Sequence, residues 1–278
     1  MVQWREVGRH IRALNDIGTI MSAMRSLAFI EARRLAEGAL RQQETVAAIR
    51  VAIDNLVAHY PRARPGIMPG RDVLVLIGSE RGLCGDFNER VISDLDVSNK
   101  SEPSARIAVG SLLCQRLDEH GVAHLPIPGA VVNEDIPGVM SHIAASVRAS
   151  TQQDHDMTTG LLVIHHDEGG IVHNERILPV PVMPSERCWR DRPMLQLRPP
   201  ELYGMLIEHY VFASLNSLLL ASLLAENRQR LDQMSAALDR LHERVDTLDR
   251  ARRRARQEAI TEEIEIILLG QRRHHAAP

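Results

Sequence analysis

Apolar positions recur with a helical period at both ends of the chain and with a shorter, strand-like period between them. Toward the C-terminus, Leu231, Met234, Leu238, Leu241, Val245 and Leu248 fall at alternating steps of three and four, which places them on one stripe facing a partner helix. From Met205 to Leu269 there is no Gly or Pro, so nothing in the backbone obliges a helix to stop. About 70 such residues at 1.5 Å each would span about 105 Å, the length of a rod. Continued, the stripe lands on Arg252, Ala255, Ala259 and Glu262, where the partner is expected to have ended. Ile260, Ile264, Ile266, Ile267, Leu268 and Leu269 then make an apolar tip suited to a socket in another molecule.

A second helical pattern runs from about Arg5 to Ala58, with Leu14, Ile17, Met21, Met24, Ala28 and Leu35 as its seam. Gly8, Gly18 and Gly38 weaken it, each by about 1 kcal/mol relative to Ala. Residues 59–71 read as a Pro- and Gly-rich linker. Beyond them, strands at Val73–Ile77, Arg106–Val109, Leu161–Ile164 and Ile171–Val182 alternate with helices near Asp86–Leu95, Ser111–His120 and Pro137–Ala149, the pattern of a parallel sheet with crossovers. The expected fold is therefore α+α/β. N- and C-terminal helices (residues 1–60 and 199–278) form a long antiparallel coiled coil, and a Rossmann-like α/β domain (71–190) is inserted between them. If Ala58 and Tyr203 lie side by side, equal rises bring the start of the first helix level with about residue 258 and leave the last helix overhanging.

Composition narrows the function. The apolar fraction of 44% is ample for a core, and 3% aromatics suits helical rods better than a sandwich or barrel. A net charge of −3 gives no overall field for nucleic acid or membrane. Three widely spaced cysteines, Cys84, Cys114 and Cys188, argue for a reducing compartment. Charges interrupt the first 35 residues, unlike a signal peptide, and the most apolar run, Val211 to Ala225, is broken by Ser214, Asn216, Ser217 and Ser222. The expectation is a soluble, cytoplasmic protein.

Candidate chemistry is sparse. SERGLCGDFN (79–88) joins a strand to a helix, but Gly78, Gly82 and Gly85 do not make G-x-G-x-x-G, and no Gly-Lys-Ser/Thr follows. It reads as a tight turn with Asp86 as a helix cap, and Cys84 reads as a small buried thiol. His165, His166, Asp167, Glu168 and His173 read as a solvated strand end and turn, because adjacent strand residues point to opposite faces and cannot readily share a metal. His274 and His275 read as a polar tail. Arg250, Arg252, Arg253, Arg254 and Arg256 spread around a helix, which suits a solvated face or a basic collar more than a groove-binding helix. No catalytic set, metal site or cofactor site emerges.

Three segments resemble the gamma subunit, or central stalk, of F-type ATP synthases. IRALNDIGTIMSAMRSLAFIEARR (11–34) is similar to the family's N-terminal signature around Ala23 and Met24. VLVLIGSERGLCGDFNERV (73–91) carries its Arg-Gly-Leu-Cys-Gly motif as Arg81, Gly82, Leu83, Cys84 and Gly85, and ARQEAITEEIEIILLG (255–270) resembles its C-terminal signature. Ser22 stands where many members carry Lys, and Asp86 replaces a second Gly. These departures mark a divergent gamma chain and leave open the principal enzyme or an alternate, N-type one. The resemblance implies a rotor stalk that transmits torque between a membrane ion-translocating ring and a catalytic hexamer, with no catalytic site or cofactor of its own. It implies catalytic and non-catalytic hexamer subunits, an epsilon subunit and the membrane c-ring as partners, no nucleic acid, and a place on the cytoplasmic face of the bacterial inner membrane. Met24, Arg25, Arg256, Gln257 and Thr261 would be partner contacts. A freestanding coiled-coil scaffold is the alternative, and a nucleotide-dependent enzyme built on the α/β module a third reading.

Overall fold

The helical period at each end produces one long helix. In the computed structural model, which describes residues 3–65, 69–98, 103–151, 158–181 and 192–275, these are α1 (Gln3–His59) and α5 (Pro199–His275). α5 opens on Pro199 and Pro200, which occupy a first turn in which backbone N–H groups have no helical partner anyway. The chain divides into two compact units: residues 1–27 with 231–278, and residues 28–230. Both long helices contribute to each.

In the first unit the two segments run antiparallel, with Gly8 beside Arg252 and Gly18 beside Leu241. The α5 stripe is as expected: Met234 and Leu238 are buried, and Leu231, Leu241, Val245 and Leu248 are half-buried. The α1 seam is so only in part. Ile11 is buried, whereas Ile17 and Met24 face outward in a row with Ile20 and Leu27, from 40% to 64% exposed. Gly8 and Gly18 join Ile11, Leu14 and Met21 on the covered side, and the row Ile17, Ile20, Met24 and Leu27 falls on the other side of the helix. A Cβ at Gly18 would meet Leu241 Cδ2 at 3.4 Å, ordinary contact distance. Opposite Arg252 the partner is still present, beyond the point where the apolar stripe fails. Carrying the Gly8 pairing back along α1 brings Gln3 level with about residue 257, close to the position expected from helical rise. Ile260, Ile264 and Leu268 are exposed, while the side chains of Ile266, Ile267 and Leu269 lie outside the described residues.

The second unit holds a five-stranded sheet of order β3-β2-β1-β4-β5. Its strands are β1 (Pro69–Ile77), β2 (Ala105–Val109), β3 (Leu125–Ile127), β4 (Thr158–His166) and β5 (Val172–Leu178). α2 (Phe87–Ser98), α3 (Ser111–Glu119) and α4 (Ile136–Thr151) provide the crossovers. Val73 to Ile77 are all buried, as a central parallel strand requires. Two expectations change. The last strand begins at Val172 and runs antiparallel to β4, because the tight turn at Asp167–Gly170 leaves no length for a crossover. β3 escapes a period reading because it is three residues long and contains Pro126.

Within this unit α5 changes character. From Ala213 to Asn227 every position but Asn216 is buried, around the whole circumference. An 18-residue window of α5 reaches a mean hydropathy of 1.3, enough by length and composition to cross a membrane, yet 61% of it is buried in the fold.

Candidate functional site

Open parallel sheets bind ligands beyond the carboxyl ends of the strands, where the strand order reverses. Here that point lies between β1 and β4, whose following loops are Gly78–Asp86 and Asp167–Gly170. The first contains the Arg81–Gly85 motif, with Leu83 at φ 65° and Gly85 at φ 62°, so two left-handed residues within three fold the loop back on itself. Its crevice is occupied by the chain. The Arg230 guanidinium donates to Gly82 O (3.2 Å), Arg81 O (3.5 Å) and Asn227 Oδ1 (3.0 Å), and pairs with Glu226. Glu226 in turn accepts from the backbone N–H groups of Arg81 and Glu80. Burial pushes the Glu226 carboxyl up, opposed by Arg230 and those two donors. Gln229 Nε2 donates to Asp86 Oδ1 at 2.9 Å, and Arg228 donates to Glu168 O at 2.5 Å, so one turn of α5 bridges both loops.

The anion-binding position is taken in the same way. Glu80 accepts from Ser111 N (2.8 Å), Ser111 Oγ (2.7 Å) and Gly129 N (2.7 Å), placing a carboxylate at the N-terminus of α3, where a phosphate would otherwise be held. Cys84 is buried beside Ser79, and burial raises its thiol, which makes it a poor nucleophile. The motif thus clamps α5 instead of cradling a ligand.

The histidine patch is solvated only in part: His173 is exposed and Asp167 and Glu168 are half-buried, but the two strand histidines are covered. His165 is 5% and His166 0% exposed. His166 stacks on Phe87 with ring centroids 3.6 Å apart, and burial lowers its pKa to about 3. On the other face of β4, His165 lies 3.7 Å from Glu175, and His173 pairs with Asp167 at 3.1 Å. Packing of the strand end against other elements, invisible in the polar run His165–Glu168, buries His165 and His166.

The five expected partner contacts are all in the first unit, and all are exposed. They form two clusters. Met24 and Arg25 are neighbours on α1; Met24 belongs to the outward row, and Arg25 lines a groove with Leu238 and His242. Arg256, Gln257 and Thr261 lie some 20 residues farther along α5, about 30 Å away by helical rise. Thr261 Oγ1 donates to Gln257 O at 3.0 Å, and Arg256 lines a second groove with Trp4, Arg5, Arg9 and Arg12. Periodicity reading missed two spacings that the structure uses: Glu226 with Arg230 at i,i+4, and Arg5, Arg9 and Arg12 on one face of α1.

Comparison with known proteins agrees with the family resemblance. The sequence profile of the ATP synthase family matches residues 3–272. Two similar curated relatives are both ATP synthase gamma chains. The one from Sulfurovum sp. is 22% identical and the one from Heliobacterium modesticaldum 24%, with 97% and 96% of this chain aligned to 98% and 97% of theirs. The chain belongs to the ATP synthase gamma family. Among solved structures of ATP synthases, a chain of the Euglena gracilis mitochondrial rotor superposes with a TM-score of 0.63 at 12% identity, covering 92% of this chain and 98% of that one. A chain from the Tetrahymena thermophila central stalk and c-ring gives 0.55 at 18%, covering 78% and 99%. This gamma-family chain therefore shares their fold: an N-terminal helix, a mixed sheet and a long C-terminal helix.

Proposed function

We propose that this chain is the central rotor stalk of an F-type ATP synthase. It carries torque between a membrane ion-translocating ring and a catalytic hexamer, and the chemistry of ATP belongs to its partners. The observation that carries this reading is the family match across residues 3–272, joined to a crevice at the strand-order reversal that is filled by Glu226 and Arg230. On this reading the segments of the first unit wind as an antiparallel coiled coil, and the Rossmann-like unit meets an epsilon subunit and the c-ring. Met24, Arg25, Arg256, Gln257 and Thr261 face the catalytic and non-catalytic subunits, on the cytoplasmic side of a bacterial inner membrane. An exposed guanidinium and amide can bond a polar loop in one rotary position and release it in the next, biasing a catalytic site between states. The setting is the principal enzyme or an alternate, N-type one.

The test is recovery of partners by tagged full-length chain from native membranes, beside a version ending at Arg254 and an Arg256→Ala, Gln257→Ala double variant. A hexameric ATPase recovered by the full chain, with recovery or ATP-driven ion pumping reduced in both altered forms, is expected. Undiminished pumping and assembly in the double variant would remove the collar assignment. A second reading, a self-associating scaffold, draws on the exposed row of Ile17, Ile20, Met24 and Leu27. Recovery of the chain with copies of itself alone would favour it.

A further inference from the structure

The arginines of the first unit converge on one space. Arg5, Arg9 and Arg12, spaced by four and three, share a face of α1, and Arg252, Arg253 and Arg256 come from the adjacent turns of α5. With Trp4 and Gly8 they line a groove of about 780 Å³. Asp249 answers two of them, at 2.6 Å from Arg252 and 2.9 Å from Arg253. Among the described residues Arg9, Arg12 and Arg256 form no ion pair, and Arg5 lies over the Trp4 ring, 5.3 Å from its centroid. Like charges around a concave space repel one another and raise the positive potential inside it, so an anion there gains attraction and relieves repulsion together. The first turn of α1 adds the positive end of a helix dipole to the same wall.

Guanidinium forks match phosphate oxygens pairwise, and six exceed what one phosphate can engage. A triphosphate brings about four negative charges within roughly 8 Å, whereas an extended acidic peptide needs four residues, about 13 Å, for the same charge. The volume lies in the range of small-molecule sites, and an indole forms part of the wall. We propose that this groove binds an oligophosphate, the chemistry shared by inorganic tripolyphosphate and nucleoside triphosphates. The inference stands on the groove in the chain free of partners; it shares Arg256 with the surface assigned to the hexamer, and its test therefore substitutes Arg9 and Arg12, which that assignment does not use.

Calorimetric titration of the full-length chain at about 150 mM salt, with chelator present, tests it. Tripolyphosphate is expected to bind saturably at one site. Arg9→Ala with Arg12→Ala should weaken binding about tenfold or more, while Arg250→Ala with Arg254→Ala, which removes the same charge from exposed positions of α5 outside the groove, should weaken it about twofold or less. Circular dichroism checks that both variants remain helical. Tighter binding of ATP than of tripolyphosphate, lost in Trp4→Leu, would identify the nucleoside form as the source. Equal affinity would identify the bare phosphate chain. Absence of saturable binding, equal losses in the two double variants, or tighter binding of a hexaglutamate peptide would each overturn the proposal.

Discussion

Arg230 and Arg256 belong to the same helix but to different units, and the protein treats them oppositely. Arg230 is 7% exposed, and the chain supplies its partners from nearby: Glu226, Asn227 and two carbonyls of the Arg81–Gly85 loop. Arg256 is exposed among five other arginines, and among the described residues Asp249 is the only acid that pairs with the group. A buried guanidinium without partners costs several kcal/mol, so a folded chain must provide them in advance. An exposed one is hydrated and can wait for another molecule. The contrast separates residues that hold the fold from residues left available, without reference to any relative.

The largest effect should come from breaking the closed pair. Glu226→Ala leaves Arg230 buried and uncompensated, and should destabilise the second unit by about 3–5 kcal/mol, read by urea unfolding. Glu226→Leu combined with Arg230→Met should recover most of that loss. If the single variant were neutral, the clamp would not be the compensated core described here.

Acid should act on the second unit through His166. Its native ring stays neutral down to about pH 3, whereas the unfolded chain takes up a proton below about 6.5. Stability is therefore lost as pH falls through that window, by about 2 kcal/mol between pH 6.5 and 5. His166→Phe keeps a ring against Phe87 and removes the titration, so it should lose about 2 kcal/mol less over the same interval. Paired urea curves at pH 6.5 and 5 measure the difference.

The smallest effect belongs to the outward row of the first unit. Ile17→Ser with Met24→Ser should change stability by about 0.5 kcal/mol or less per site in the isolated chain, since both side chains are already substantially exposed. A large loss would return Ile17 and Met24 to the seam that periodicity suggested and remove them from the available surface.

What the sequence made legible follows from length and repetition. The α5 stripe, the alternation of strands and helices, and the level reached by α1 all come from many residues agreeing on one period. The α1 seam was legible at Leu14, Met21, Ala28 and Leu35, but Ile17 and Met24 were misplaced because a second apolar row, Ile17, Ile20, Met24 and Leu27, competes on that helix and the covered side also uses Gly8 and Gly18, which carry no hydrophobic signal. The histidines were misassigned because burial of His165 and His166 depends on Phe87 and Glu175, which come from other elements. Of the candidate site, the loop motif was readable as a turn, but its docking onto Arg230 joins residues about 150 positions apart.

The enclosed stretch of α5 from Ala213 to Asn227 has a consequence for amide hydrogen exchange. An amide in a helix buried on every side is released only when the surrounding unit opens, so exchange there should follow the global unfolding free energy. From Leu231 onward the same unbroken helix is covered on one stripe alone, and its amides can exchange by local fraying. One continuous hydrogen-bonded ladder would thus carry two protection regimes, with the step falling near Arg230, where the clamp ends.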